Sequence, residues 1–342
     1  MTRQNGASFN HGAIWNTPTI IEADTESEEN MTDNEFLLQD RLQKIRQIIN
    51  KYGEENFYIS FSGGKDSTVL SALVDMAVPA NKIPRVYANT GIELNMIRDF
   101  VLEMQKIDDR IVVIKPSVPI REMLERDVYP FKSKEHSLYV SEFQRMGEKS
   151  AYYTRYLHPE EKWKRYGCPK ILRYQFTSDF NLKISKKCCD RLKKEPMHNW
   201  QKEHKKTFTI TGMRADEGGS RNNITCFNLK NKRFHPLAVV SEQWENWFIS
   251  EYNIEICDIY KPPYNFKRTG CKGCPFAIEL QEELDTLQKY FPAERKQCEI
   301  IWKPVYDEYR RLGYRLKWIP FKTSPLMKEE KEEHPEWDGI VE

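Results

Sequence analysis

The segment from Phe57 to Leu70 joins an apolar strand to a helix through a glycine turn, and this turn carries groups that bind phosphate. Gly63 and Gly64 allow a sharp turn and a close approach of the backbone to a ligand, because glycine has no Cβ atom. The helix start that follows provides unpaired N–H groups and the positive end of a helix dipole, and both favour a bound phosphate. Because Asp66 would repel a bare phosphate, we expect a bridging Mg²⁺ ion. The other polar side chains of this segment are those of Ser60, Ser62, Lys65, Ser67 and Thr68.

The elements that must position this turn follow from an alternation of strand-like and helical apolar patterns, which is typical of right-handed βαβ units. The predicted strands are Phe57–Phe61, Arg85–Asn89, Ile111–Ile114 and Thr207–Thr211. The predicted helices are Thr32–Tyr52, one that begins at Asp66, Glu93–Ile107, Ile120–Arg126, Ser241–Tyr252, Ile278–Tyr290 and Pro292–Leu312. The fold class is therefore α/β, with a doubly wound, mostly parallel sheet, a helical insertion and C-terminal helices.

The domain organisation follows from changes in composition along the chain. Residues 1–31 are polar and lack periodicity, which predicts a flexible N-terminal arm. The predicted regions after it are a nucleotide-binding domain (32–276), C-terminal helices (277–325) and a mobile tail (326–342). Ligands of parallel sheets bind beyond the carboxyl ends of strands. Because a second predicted strand ends at Asn89-Thr-Gly-Ile-Glu93, we expect that segment near the ligand as well.

Residues 129–167 interrupt the alternation with aromatic side chains interleaved among lysines and arginines. Such a mixture could stack on bases and contact phosphates. It could equally be a solvated helical insertion whose aromatic side chains pack on the main domain. The presence of both signs of charge favours this second interpretation.

The overall composition narrows the class of protein. The formal net charge of the 342 residues is +2, so global electrostatics do not indicate a nucleic-acid-binding protein. The sequence has no apolar run near the roughly 20 residues that span a bilayer, so no membrane partner is expected. It also lacks the pattern of a secretory signal. Eight cysteines without an export signal predict a reducing, cytoplasmic compartment, with metal binding or chemistry in place of disulfides.

Four of the cysteines form two close pairs, Cys188 with Cys189 and Cys271 with Cys274. Such a set of thiolates could bind a [4Fe-4S] cluster or, alternatively, zinc. Adjacent cysteines aim awkwardly at one tetrahedral ion, whereas a cubane offers two separate iron atoms, so the pattern favours the cluster. Two basic residues flank the first pair and would offset the negative charge of a cluster: Lys187 and Arg191.

The glycine turn, Ser62-Gly-Gly-Lys-Asp-Ser67, lacks the spacing of a Walker loop and resembles the pyrophosphate loop of the adenine-nucleotide alpha-hydrolases. Three further segments resemble one family of that superfamily: Asn89–Glu93, Gly212–Arg221 and the stretch from Pro236 to Cys274. From roughly Phe57 to Phe276, the chain is thus similar to the phosphoadenosine phosphosulfate reductase family. This resemblance implies a Rossmann-like fold and a bound adenine nucleotide, either ATP or an adenylyl sulfate-type nucleotide.

The resemblance also implies site residues. The implied catalytic residues are Lys65, Asp66 and Arg214. The implied nucleotide-binding residues are Ser60, Ser62, Gly63, Gly64, Lys65, Asp66, Ser67, Asn89, Thr90, Gly91, Glu93, Gly212, Arg214, Glu217 and Arg221. In the iron–sulfur branch of the family, a Cys-Cys pair and a distant Cys-x-x-Cys hold a [4Fe-4S] cluster. The implied metal ligands are therefore Cys188, Cys189, Cys271 and Cys274.

One departure from the family decides which reaction we favour. The true reductases attack sulfur with a cysteine in a Glu-Cys-Gly-x-His context, and this sequence lacks that context. Cys298 lies instead in Lys296-Gln-Cys-Glu-Ile300, on a predicted amphipathic helix. We therefore favour an ATP-dependent adenylating enzyme that transfers sulfur to a nucleic acid or a protein. Cys168, beside Pro169, is left open as an extra ligand, a sulfur carrier or a buried thiol.

Two other functions are compatible with the sequence. The first is a sulfonucleotide reductase that releases sulfite and uses Cys298 or Cys257 as its nucleophile. The second is a nucleotide- or cluster-sensing partner protein without turnover. A homodimer or a complex with a partner subunit is compatible with each of these functions.

Overall fold

The fold is described from a computed structural model over residues 31–218 and 221–317, and the side chains of residues 163–165 are left out. The predicted arm, apart from Met31, and the predicted tail 326–342 lie outside the described residues. The chain divides into two compact units that interleave in sequence. Unit 1 comprises the described residues of 1–88, 95–114 and 197–268, and unit 2 those of 89–94, 115–196 and 269–342. The predicted division at residue 276 does not coincide with a boundary of either unit.

Unit 1 contains a six-stranded sheet in the order β3-β2-β1-β4-β6-β5. Its strands are β1 (Phe57–Phe61), β2 (Arg85–Ala88), β3 (Ile111–Ile114), β4 (Phe208–Ile210), β5 (Phe227–Asn228) and β6 (Arg233–Phe234). All neighbouring strands are parallel except β5 and β6, which pair antiparallel as a hairpin at the edge. The chain runs outward from β1 to β3 and then returns to the other side of β1 as β4. This topology confirms the predicted doubly wound, mostly parallel sheet.

The helices of the described residues are α1 (Asp33–Tyr52), α2 (Lys65–Ala77), α3 (Asn95–Ile107), α4 (Ile120–Asp127), α5 (Lys134–Met146), α6 (Tyr153–Leu157), α7 (Glu195–Glu203), α8 (Glu242–Glu251), α9 (Leu280–Tyr290), α10 (Pro292–Ile301) and α11 (Lys303–Leu312). A capping box between Thr32 and Glu35 opens α1, as its sequence predicts. In these described residues no helix is both long and apolar enough to cross a membrane.

The two faces of the unit 1 sheet are covered by different helices, because strand side chains alternate between faces. On one face, Phe57, Ile59 and Phe61 pack in the main core with α1, α2, α3 and α8. On the other face, Tyr58 packs with Trp200 of α7 in a smaller cluster. The glycine turn therefore connects a strand that is buried on both sides to a helix that packs in the main core.

In unit 2, the aromatic side chains of the predicted insertion pack on one another. The ring centroids of Tyr139 and Tyr156 are 4.6 Å apart, and those of Phe143 and Phe176 are 5.6 Å apart. His136 is fully buried among them and hydrogen bonds to Tyr156 and Gln175. The aromatic side chains of this region therefore pack within unit 2, and the predicted bounds 129–167 of the insertion remain a prediction.

The prediction of one helix over Pro292–Leu312 is wrong, because the structure has two, α10 and α11, which meet at Trp302. Pro304 explains the break, since proline lacks an N–H group and disfavours helical backbone in the residue before it. The prediction of a helix start at Glu93 is also wrong, since α3 begins at Asn95.

Candidate functional site

The glycine turn of unit 1 has a backbone that only glycine adopts easily. Gly63 has a φ of +69°, and a Cβ atom there would lie 2.5 Å from Cγ2 of Val101 in α3. Gly64 is the N-cap of α2 and has no side chain that could accept hydrogen bonds from the first-turn N–H groups. The first-turn N–H groups of α2 have no acceptor within the helix and are suited to an anion.

The hydroxyl groups of the turn are used mainly to hold its shape. Ser67 donates to the carbonyl oxygen of Gly64 at 2.9 Å and accepts from the N–H group of Ser62 at 3.2 Å. Thr68 donates to the same carbonyl at 3.1 Å. Ser67 is buried, so its main contribution is to position the backbone amides. Ser60, a further predicted nucleotide contact, lies half-buried in β1.

Lys65 points toward α8. Its Nζ atom lies 3.2 Å from Oε2 of Glu245, 3.5 Å from Oε1 of Glu242 and 3.3 Å from Oδ1 of Asn246. Since the Lys65 side chain is only 14% exposed, this cation is held largely inside the protein. In the structure, then, a carboxylate group compensates the charge of Lys65.

Arg214 meets the same carboxylate. Its Nη1 atom lies 3.2 Å from Oε2 of Glu245, and its Nε atom lies 3.2 Å from Oδ1 of Asp66. Gly212, two residues earlier, packs so closely on the turn that a Cβ atom there would lie 2.8 Å from the carbonyl oxygen of Asp66. The predicted residues Lys65, Asp66, Gly212 and Arg214 are thus brought together in unit 1.

Glu245 is the residue that the sequence analysis missed. Its side chain is fully buried, and burial, followed by the nearby charge of Asp66, raises its pKa to about 7. Lys65 and Arg214 act in the opposite direction. An isolated Glu in an amphipathic helix is normally exposed. Nothing in the local sequence therefore distinguishes Glu245 as a buried residue except its place one turn after the start of α8.

Three buried atoms of this group have no hydrogen-bond partner: Oδ1 of Asp66, Nε of Arg214 and Oε1 of Glu245. Although Nε of Arg214 and Oδ1 of Asp66 are close, their geometry is not that of a hydrogen bond. Buried polar atoms without partners are rare, and they fit a site that a ligand completes. Two carboxylate oxygens beside an anion-binding turn match the donors of a Mg²⁺ ion that is shared with substrate phosphates.

Glu217 organises a second group of cations. It is buried and forms ion pairs with Arg221 and with Nη2 of Arg268, the latter at 2.9 Å. Its other contact is with the backbone N–H group of Arg214. Glu217 is thus engaged with arginines, while Arg268, 67% exposed, is a further cation that the sequence analysis did not select.

The predicted segment Asn89–Glu93 lies in unit 2 and is folded on itself. Glu93 is buried and accepts from the N–H group of Thr90 at 3.0 Å and from its hydroxyl group at 2.6 Å. Asn89 accepts from the N–H group of Gly91 at 3.2 Å. Glu93 also pairs antiparallel with Cys271, so this segment positions one of the predicted metal ligands.

The four predicted metal ligands influence one another within unit 2. The hydrogen bond between Cys188 and Cys189 raises the pKa of Cys188 and lowers that of Cys189. The nearby charges of Cys274 and Cys271 raise the pKa of Cys188 further. Burial raises the pKa of Cys271 to about 11. Burial and the nearby charge of Cys271 together raise the pKa of Cys274. All four thiols therefore belong to one electrostatic group.

One cation of this group is Lys193, which no sequence pattern indicated, and the charge of Lys134 also lowers the pKa of Cys189. Burial acts to lower the pKa of Lys193, but Cys271, Glu93, Cys189 and Cys274 raise it. Its Nζ atom lies 3.8 Å from Oε1 of Glu93. The two flanking cations that the sequence suggested are paired with Asp127 instead: Lys187 at 4.0 Å and Arg191 at 3.3 Å.

The loop Cys271–Cys274 is held by the C-terminal helices of unit 2. Glu283 of α9 accepts from the N–H group of Gly273 at 2.7 Å, and Tyr306 of α11 donates to the carbonyl oxygen of Gly273. Trp302 donates to the carbonyl oxygen of Lys272 at 3.1 Å. The side chain of Lys272 is buried and pairs with Glu294 of α10 at 3.0 Å. The backbone between the two cysteines is therefore fixed independently of any metal.

Across residues 31–218 and 221–317, no group of three or more His, Cys, Asp or Glu side chains is spaced to hold a metal ion. The electrostatic coupling of the four thiols does not conflict with this result, since charges interact over longer distances than coordination bonds. Tetrahedral zinc would need four sulfur atoms at about 2.3 Å from one point. The predicted zinc or cluster site and the predicted Mg²⁺ site remain predictions.

The other predicted thiols are buried. Cys257 donates to the carbonyl oxygen of Met96, and Cys298 lies beside Gly273. Burial raises the pKa of Cys168 and of Cys298 to about 12 and that of Cys257 to about 11. These three residues are therefore thiols at neutral pH, and thiols are weak nucleophiles.

A family comparison covers the last segment of unit 1, residues 197–268, and part of unit 2. Residues 142–277 match the model of the phosphoadenosine phosphosulfate reductase domain. This segment is therefore similar to the phosphoadenosine phosphosulfate reductase family. The match confirms the resemblance that the sequence indicated, and it contains all four paired cysteines and Gly212–Arg221, whereas the glycine turn precedes it.

One curated relative is an uncharacterized protein of Methanocaldococcus jannaschii, which is 24% identical over 311 residues. The aligned region covers 85% of this chain and 61% of that protein. The chain therefore spans less than two thirds of its relative.

Three solved structures of nucleotide enzymes are also similar. Phosphoadenylyl-sulfate reductase from Candida auris is 12% identical, with 71% of this chain and 96% of that chain covered and a TM-score of 0.40. Yeast FAD synthetase is 12% identical, with 82% of this chain and 86% of that chain covered and a TM-score of 0.40. The U34-tRNA thiolase from Methanococcus maripaludis with its [4Fe-4S] cluster is 14% identical, with 82% and 80% covered and a TM-score of 0.36. Because these scores are low, the function is inferred from the residues themselves.

We predict that Gly273→Ala destabilises the protein by about 1–3 kcal/mol, because the new Cβ atom would overlap Tyr306 and Cys298. Gly270→Ala is the matched control, since a Cβ atom at Gly270 meets nothing within 4 Å. Urea unfolding measures both free energies. Equal stability of the two variants would contradict the packing described for the Cys271–Cys274 loop.

We predict that Glu245 makes the free energy of unfolding fall as pH rises. Its pKa is raised in the folded state from an ordinary value of 4.5 to about 7, so its contribution is fully present below pH 4.5 and is lost by about pH 7. Unfolding measured from pH 5 to 8 should show a weaker decline for Glu245→Gln. Glu251→Gln, at an exposed position of α8, should keep the decline of the unaltered protein. Parallel curves for all three proteins would refute the assignment.

Proposed function

We propose that the chain is an adenine-nucleotide-dependent enzyme that adenylates an acceptor and thereby prepares it for sulfur transfer. The observation that carries this proposal is the ion-paired group of Lys65, Asp66, Arg214 and Glu245 beside a glycine turn at a helix start. Such a group suits the polyphosphate of ATP better than a neutral ligand. In the proposed reaction, an acceptor oxygen bonds to the α-phosphorus, the bond to the β-phosphate bridge breaks, and pyrophosphate leaves.

Glu245 gives this group a way to exchange partners. Without nucleotide, it compensates the charges of Lys65 and Arg214. When phosphates bind, both cations can turn to them, and the carboxylates of Glu245 and Asp66 remain to accept a Mg²⁺ ion. The cations would stabilise the negative charge that develops on the leaving pyrophosphate.

We propose that the four cysteines of unit 2, which influence one another's pKa values, hold a [4Fe-4S] cluster rather than zinc, because an adjacent pair aims awkwardly at one tetrahedral ion whereas a cubane offers separate iron atoms. When bound, such a cluster would carry or deliver the sulfur. Cys188, Cys189, Cys271 and Cys274 would hold it, and Lys193 would offset its negative charge.

No observation favours the sulfonucleotide reductase. That reaction needs a thiolate that attacks sulfur, and its candidates, Cys298 and Cys257, are buried thiols with raised pKa values. A sensing protein without turnover would also bind nucleotide through the unpaired buried atoms of Asp66, Arg214 and Glu245, so pyrophosphate release is the measurement that separates it from the enzyme. The sulfur acceptor (nucleic acid or protein), the oligomeric state and the cytoplasmic location remain proposals.

We predict that Lys65→Gln and Arg214→Gln each lower pyrophosphate release from ATP by about 100-fold or more, because each removes a cation from the reacting phosphates. The assay uses protein purified without oxygen, with tRNA or DNA as the acceptor. Lys51→Gln, at an exposed position of α1, is the control and should retain the rate. Absence of pyrophosphate release from the unaltered protein under every acceptor condition would rule out the adenylating function.

We predict that the protein purified without oxygen is brown, with absorbance near about 400 nm that dithionite bleaches. Cys188→Ser and Cys271→Ser should lose this absorbance, because each removes an iron ligand. Cys226→Ser, which alters a half-buried cysteine of unit 1, is the matched control and should keep it. A colourless protein that contains zinc would show that the alternative metal is correct.

A further inference from the structure

An open cavity of about 550 Å³ in unit 1 has no role in the sequence analysis or in the reaction described above. Its volume lies within the range of small-molecule sites. Hydrogen-bonding side chains form most of its wall, with an apolar contribution from Met213 and Ile224. The polar residues of the wall are Asn223, Thr225, Asn228, Asn231, Arg233 and His235.

The alternation of strand residues explains why this wall is polar. Phe234 and Ile210 are buried in the main core, so their neighbours Arg233, His235 and Thr211 face the other side of the sheet. There, Thr211 and His235 hydrogen bond at 2.7 Å. Helix α7 covers that side of the sheet at Tyr58, Val86 and Val112, but it contributes no residue to the cavity wall. The polar side of the hairpin is therefore left open.

The hairpin beside the cavity is also basic. Between residues 221 and 241 the sequence contains no Asp or Glu, although it contains Arg221, Lys230, Lys232 and Arg233. The last three are exposed and belong to the turn between β5 and β6 or to β6 itself. This concentration of positive charge contrasts with the net charge of only +2 for the whole chain. Exposed cations in a stretch of chain without Asp or Glu favour a polyanion.

We propose that this cavity binds an unpaired nucleotide of a single-stranded nucleic acid, with phosphates on Lys230, Lys232 and Arg233. Asparagine side chains both donate and accept hydrogen bonds, as the edge of a base requires, and such edges are accessible in single strands. Met213 and Ile224 supply an apolar contact for the face of the base.

The chain connects this cavity directly to the nucleotide site. Met213, in the cavity wall, lies between Gly212, which packs on Asp66, and Arg214, which meets Asp66 and Glu245. An acceptor that contacts Met213 would therefore lie one residue along the chain from Gly212 and from Arg214, which are assigned to the nucleotide site. The inference rests on the proposed function and specifies its acceptor as a nucleic acid.

The test measures binding of labelled oligonucleotides to the full chain by fluorescence anisotropy, with single-stranded RNA, single-stranded DNA and a duplex as probes. The double variant Lys230→Gln with Arg233→Gln should weaken single-strand binding by about tenfold or more. It should also reduce the slope of log affinity against log salt by about 1.4, since each phosphate contact on a single strand contributes about 0.7. The matched control is Lys51→Gln with Lys82→Gln, which removes two exposed lysines elsewhere in unit 1.

A second variant tests the cavity itself. Asn223→Ala with Asn231→Ala should weaken binding about tenfold but leave the salt dependence unchanged, because no charge is removed. Tighter binding of RNA than DNA, or the reverse, would identify which strand is the acceptor. Equal losses in the hairpin and control double variants, or equal affinity for duplex and single strands, would overturn the proposal.

ATP binding measured on the same variants separates this inference from the proposed function. If the asparagine double variant loses ATP binding and ATP displaces every oligonucleotide, the cavity belongs to ATP and the inference fails. If ATP binds normally and no oligonucleotide binds, the inference fails while the adenylating function stands. If the unaltered protein binds oligonucleotides but not ATP, the adenylating function fails while the nucleic-acid site stands.

Discussion

The carboxylate of Glu245 is the interaction on which the nucleotide site depends, because it holds Lys65 and Arg214 at one point inside unit 1. Two cations alone would repel each other and turn to solvent. Removing the partner of a buried charge is expensive, so the three residues constrain one another. The same arrangement leaves Asp66, Arg214 and Glu245 each with an unpaired buried atom. The site is therefore compact and electrically balanced, yet it retains capacity for a ligand.

The candidate metal centre of unit 2 depends on backbone contacts that hold its cysteines rather than on charge pairing. Its thiols lie on two chain segments, and protein contacts fix the backbone of one segment through Glu283, Tyr306 and Trp302. The other segment begins a helix whose next turn, Asp190–Lys194, is π-helical, a feature that is frequent at functional sites. Rigid backbone supports let thiols keep their positions while their protons are replaced by metal.

The sequence predicted the framework more accurately than the contacts. The strands β1 and β3 agree with the predictions because they are continuous apolar runs. Helix α1 agrees because its capping box is clear. The glycine turn was recognisable because its φ values and close contacts permit little else. By contrast, the apolar pattern of Pro292–Leu312 predicted one helix and did not indicate the break at Pro304. No pattern predicted the cavity beside the β5–β6 hairpin. A short hairpin carries too few residues for a reliable period.

What the sequence by itself determined was the doubly wound sheet, the glycine turn, the resemblance to a family and the two cysteine pairs, because each is encoded in local spacing. Only the tertiary structure decided that Glu245 balances Lys65 and Arg214, and that Lys193, rather than Lys187 or Arg191, is a cation of the thiol group. Lys65 and Glu245 are far apart along the chain. Lys193 differs from Lys187 and Arg191 only in the direction of its side chain. Charge pairing depends on distances in space, and burial determines its strength, so neither can be read from local spacing.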